Sequence, residues 1–246
     1  MTTAQLTVVL VASLAGALVK AVTGLGYPVI AVPLIALMLG VEEAVVIVAL
    51  PNLAANAYLC WESRSARSET RDLGRLVGVG VVGAVVGTVL LVQLPEEPLL
   101  ITLALMVLVF VVVFLRRPDL SLSPAASRRG APFAGALIGV MQGAVGVSGP
   151  VVATWVHGYR LAPTAYVHMV TFIFGVTGFA QIVVLAVQQQ FTAVRLVGAA
   201  VAAVAVVVAT PVGLRLRRRL AGPVFARVVL AVLAVSAVSL LVEALT

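Results

Sequence analysis

The sequence predicts an all-α polytopic membrane protein built from two inverted repeats. Each repeat is a broken or re-entrant helical hairpin followed by three transmembrane helices. Three observations carry this. First, 62% of the 246 residues are hydrophobic and only 10% are charged, whereas a soluble domain holds roughly 25% charged residues because its surface faces water. Second, apolar runs follow one another almost without pause, and the mean hydropathy is +1.19; that pattern needs lipid as solvent. Third, short strings recur in the same order at a common offset. G-A-L-V at Gly16–Val19 returns as G-A-L-I at Gly135–Ile138, and R-L-V-G at Arg75–Gly78 returns at Arg195–Gly198, offsets of 119 and 120 residues. A fixed offset marks an internal repeat. The halves are 1–117 and 131–246, joined by a cytoplasmic linker over 118–130.

The first half opens with the segment 5–40. A helix-like run reaches the glycine-rich break T-G-L-G-Y before Pro28, and a shorter apolar run continues to Gly40. That last piece makes about 20 Å of helix, too short for a hydrocarbon core of roughly 30 Å. The segment therefore either re-enters or crosses twice. Three full spans follow at 43–60, 73–94 and 98–115. The second half repeats the plan, with a broken segment at 132–160 interrupted by Q-G-A-V-G-V-S-G before Pro150, and spans at 163–187, 193–214 and 223–245. The first apolar run lacks a basic leader and a small-residue cleavage site, and reads as mature structure. One cysteine, Cys60, excludes an internal disulfide.

Charge tests this count. The net +7 comes mostly from arginines in three short connectors: Arg64, Arg67, Arg71 and Arg75; Arg116, Arg117, Arg128 and Arg129; and Arg215 with Arg217–Arg219. Connectors of this kind mark the cytoplasmic face, so the charge reads as topology and not as a nucleic-acid surface. If each broken segment contributes no net change of side, all three clusters share one side. Glu42, Glu43, Glu96, Glu97, Gln188–Gln190 and both termini then share the other. Counting each broken segment as one plain span would separate the 215–219 cluster from the rest. An odd number of crossings per half inverts the second half relative to the first, as in secondary transporters. Arg195 is the exception, expected near the outer face.

Two breaks at matching places predict one central site, because backbone at membrane depth is tolerated only where protein or a cavity surrounds it. Pro28 and Pro150 suit the first turn of a helix. A helix beginning in mid-membrane presents free N–H groups and partial positive charge, which favours an anion. Gly24, Gly26, Gly146 and Gly149 let backbone approach a ligand, or simply let helices pack closely. Lys20 is the only lysine beside fifteen arginines and lies inside the first apolar segment. Burying a cation there costs about 3 kcal/mol, so it reads as functional, with snorkelling to an interface as the alternative. None of the nine acidic residues falls in mid-span, which favours anionic over cationic cargo. Asn52 and Asn56 on the first full span, and Thr171 and Thr177 on its counterpart, are further candidates. So are Thr23, Tyr27, Gln142 and Ser148 at the breaks. Asparagine donates amide hydrogens to an oxyanion, while threonine more often bonds its own helix. Histidine is the side chain type that exchanges a proton near neutral pH; of His157 and His168, the second is the candidate for a coupling proton. No cofactor or metal is expected. The expected partners are a small anion and the bilayer, with a homodimer left open.

At the two breaks the sequence resembles the sulfite exporter TauE/SafE family. G-x-x-x-x-x-x-T-G-L-G-Y-P-V-I-A-V-P, from Gly16 to Pro33, is similar to that family's first motif, and G-x-x-x-x-x-x-Q-G-A-V-G-V-S-G-P, from Gly135 to Pro150, to its second. The resemblance implies a bacterial inner-membrane permease for sulfite, sulfonates such as sulfoacetate, or related small anions. Two other readings compete. A passive anion channel shares every feature above. G-V-S-G at Gly146–Gly149 also matches the G-x-S-G of intramembrane serine proteases, with Ser148 as nucleophile and His168 as its base.

Overall fold

The computed structural model describes residues 1–23, 26–116, 121–220 and 223–245; at 22–23, 114, 214, 216–220 and 223–228 only the backbone is described. Among these residues the regular structure is entirely helical. The order is α1 (Thr3–Thr23), α2 (Pro28–Leu39), α3 (Val41–Glu62), α4 (Leu73–Gln93), α5 (Glu96–Arg116), α6 (Pro124–Val145), α7 (Gly149–His157), α8 (Pro163–Val187), α9 (Ala193–Leu220) and α10 (Pro223–Leu245). A short 3-10 turn, Arg64–Glu69, joins α3 to α4.

Six described helices are long and apolar enough to cross a membrane, within α1, α3, α4, α5, α8 and α9. This is a multi-pass membrane protein. The span expected over 223–245 coincides with α10, whose described apolar stretch is the shorter Val229–Leu245. The stretch 118–130, expected as a linker, is partly helical, because α6 already begins at Pro124. Ser123 caps it by accepting the Ala126 N–H at 3.2 Å, and Pro124 follows in the first turn, where its missing N–H costs nothing. Both breaks restart a helix at proline, with Pro28 and Pro150 in the first turns of α2 and α7; at the second break Gly146, at φ 68, closes α6 through its N–H to the Gln142 carbonyl.

Packing is by backbone approach. A Cβ on Gly83 would lie 2.6 Å from the Ala136 carbonyl oxygen, and one on Gly139 would collide with the Gly80 carbonyl. Lipid supplies no hydrophobic drive between helices, so close contact at small residues holds α4 to α6. The contacts advance together, Gly80 with Gly135 and Gly87 with Ala144, so these two helices run parallel. α1 and α9 also run parallel, with Gly198 beside Met1 and Gly213 beside Leu18 and Ala21. α3 packs on α8 and α5 on α10.

These contacts sort the chain into two ends. At one end Gly198 meets Met1, Gly40 meets Glu96, and Arg195 donates to Glu42 at 2.7 Å, to Glu43 at 2.6 Å and to Gln190. Arg195 thus sits among the glutamates of this end. At the other end Gly130 abuts Trp155, the Leu122 N–H donates to the Gly158 carbonyl at 2.8 Å, and Tyr159 donates to Asp72 at 3.4 Å. Burial pushes the Tyr159 phenol up to about 12. Both arms of the α1–α2 hairpin therefore open at the first end, and both arms of α6–α7 at the second.

Candidate functional site

The tips of the two hairpins meet. A Cβ on Gly149, the first residue of α7, would come within 2.9 Å of Val29 Cγ2 in the first turn of α2. Between them lies a small cavity. Gly26, Pro28, Val29 and Asn52 line it from one half, and Gln142, Gly146, Val147, Ser148, Gly149 and Phe174 from the other. It leaves about 10 Å³ for the centre of a water molecule, room for roughly one water. The beginnings of α2 and α7 border this space. The N–H groups of Val29, Ile30 and Ala31 bond to the Gly26 and Tyr27 carbonyls, and those of Val151 and Val152 to the Ser148 carbonyl. What the two helix starts bring to the space is therefore the partial positive charge of their dipoles.

Behind each wall runs a chain of hydrogen bonds. On the first, Lys20 Nζ donates to Asn56 Oδ1 at 2.9 Å, and Asn56 Nδ2 donates to Asn52 Oδ1 at 3.2 Å. An ammonium only donates, so it must meet the amide oxygen of Asn56, and that choice sets both amides. On the second wall, Gln181 Nε2 donates to the carbonyls of Gln142 and Gly143 at 2.8 and 3.2 Å. Its Oε1 then accepts from Gln142 Nε2 at 3.2 Å, and Gln142 Oε1 accepts from the Ser148 hydroxyl at 2.9 Å. The carbonyls at the end of α6 only accept, so this chain is also fixed in direction.

The model of the sulfite exporter TauE/SafE family matches residues 8–240, nearly the whole chain. The chain belongs to the TauE/SafE family. Members are transporters and not enzymes. No curated protein and no solved structure matches significantly.

In this TauE/SafE protein the structure gathers Gly26, Pro28, Asn52, Gln142, Gly146, Ser148 and Gly149 of the expected residues around one space. Asn56 and Lys20 stand one and two hydrogen bonds behind it. Other candidates are placed elsewhere. The Tyr27 phenol turns to α1, 3.0 Å from Ser13 Oγ. Thr171 and Thr177 donate to the Val167 and Ile173 carbonyls of their own helix at 2.7 and 2.8 Å. Pro150 opens α7 without lining the cavity. The Thr23 side chain and Gly24 lie outside the described residues. His168 is 3.1 Å from the Cys60 carbonyl near the end of α3, and its buried Nε2 has no partner among the described residues. The Ser148–His168 dyad of the protease reading is therefore not assembled, because Ser148 is bonded to Gln142. Two residues escaped sequence reasoning. Gln181 is an amide in mid-span, the same signal that singled out Asn52, while Phe174 is apolar in an apolar run and gave none.

Proposed function

We propose that this TauE/SafE protein is a secondary transporter that moves a small anion, sulfite or an organosulfonate such as sulfoacetate, by alternating access between two inverted repeats. The observation that carries the reading is the meeting of the α2 and α7 N-termini at a buried space that Asn52 also lines. Two helix N-termini favour negative charge, and an amide N–H2 completes the donors. The inverted repeat is supported by helix pairing that survives exchange of halves. α1 lies on α9 as α6 lies on α4, and α3 lies on α9 as α8 lies on α4. The two hairpins also open at opposite ends.

The arginine-rich end, with the linker, is the cytoplasmic face of the cell membrane, and both termini lie outside. The cavity has room for roughly one water, so cargo enters only when its walls part. Arg195, held by Glu42 and Glu43, ties α9 to α3 at the outer end, and a pathway that opens outward must loosen that tie. His168, near the cytoplasmic end with an Nε2 that has no partner among the described residues, is the candidate for the coupling proton.

Purified protein in liposomes tests the reading. Sulfite flux should saturate and show counterflow, whereas a passive channel would show neither. Thermal-shift measurements against sulfite, sulfate, thiosulfate, sulfonates and carboxylates should show stabilisation by a subset of sulfur oxyanions. Stabilisation by none of them would remove the proposed cargo.

A further inference from the structure

The two chains of hydrogen bonds reach the cavity with opposite polarity. Along the first, every donor points toward the cavity: Lys20 to Asn56, Asn56 to Asn52, so the chain ends in the Asn52 N–H2. Along the second, every donor points away: Ser148 to Gln142, Gln142 to Gln181, Gln181 to the carbonyls at the end of α6. What Ser148 has left for the cavity is the lone pairs of its oxygen. Reversing the hydroxyl would strip the buried Gln142 Oε1 of its partner, an unfavourable exchange for a buried acceptor.

From this polarity we propose that the site selects a monoanion that itself carries a hydrogen-bond donor. Its oxyanion face meets Asn52 and the helix N-termini, and its N–H or O–H donates to Ser148 Oγ. An oxyanion that retains one proton satisfies this, as does a sulfonate bearing an amino or hydroxyl group; a fully deprotonated or aprotic anion leaves Ser148 facing negative charge. The inference rests on the cavity being the anion site.

A matched pair tests it. Sulfamate and methanesulfonate are tetrahedral monoanions of equal heavy-atom count, one with an amino and one with a methyl group. Binding of both, and of sulfite, is measured by calorimetry on the purified full-length protein. Sulfamate should bind on the order of tenfold tighter than methanesulfonate, the usual cost of leaving a buried polar group unpaired. In Ser148→Ala that ratio should fall toward one. Binding of sulfite without any preference for sulfamate overturns the donor inference and leaves the anion site standing. Binding of none of the three overturns the anion site as well. The wild-type ratio is decisive even if the variant does not fold.

Discussion

The two breaks share a backbone plan and differ in side chains. An offset of 122 residues relates Pro28 to Pro150, Gly26 to Ser148 and Asn52 to Phe174, and each pair except Pro150 borders the cavity. Both halves thus present a helix beginning, but one adds an amide backed by a lysine and the other an aromatic ring and a serine backed by two glutamines. The backbone supplies an attractive field for any anion, which a doubled architecture delivers twice. Recognition of one particular anion needs donors and acceptors in different places, which identical walls would not provide.

That contrast can be broken at several points. The largest effect is expected where glycine serves packing and not the site. Gly139→Val drives a side chain into the Gly80 carbonyl, and the α4–α6 contact has no flexible partner to yield, so the variant should fail to accumulate as folded protein in membranes. Gly149→Ala meets only the end of Val29 and should fold while binding sulfite less well; size-exclusion profiles and calorimetry compare the two. Next, Asn52→Leu should lower sulfite affinity by roughly a hundredfold, since it removes the donor and leaves Asn56 without its acceptor. Lys20→Met acts through two amides and should cost about tenfold, with Lys20→Arg recovering part of it. Arg195→Gln should leave affinity near wild type while changing the maximal flux by a few-fold, because it loosens the tie of α9 to α3 without touching the cavity. Smallest is Phe174→Leu, expected within about threefold in affinity, the scale of a modest change of shape in an apolar wall. Equal losses in Asn52→Leu and Phe174→Leu would mean that the walls are equivalent and the asymmetry is without consequence.

Much of this molecule is local in origin. Runs of apolar residues, the Gly-Pro interruptions and the placement of arginines act within a few helical turns, and lipid forces each apolar run to satisfy its own backbone. Composition and pattern alone therefore sufficed for the helices, for the two breaks and for the family. The glycines illustrate where that reasoning stops. The glycines at the breaks read as site or packing, while Gly87 and Gly139, among the residues on which α4 and α6 approach most closely, lie outside the break strings and carry no such signal.

Which polar groups face the cavity was decided by tertiary structure. Lys20 and Asn56 are 36 residues apart, and Gln142 and Gln181 are 39 apart. Whether such pairs meet depends on how each helix is rotated about its axis, a quantity fixed by packing against neighbours. The apolar run around it marked Lys20 as a polar group in an apolar place; only the packed bundle put it behind Asn52 and not on the cavity wall. The same packing joined Ser148 to a glutamine instead of a histidine, since a hydroxyl in a dry site bonds to whichever acceptor the fold brings within reach.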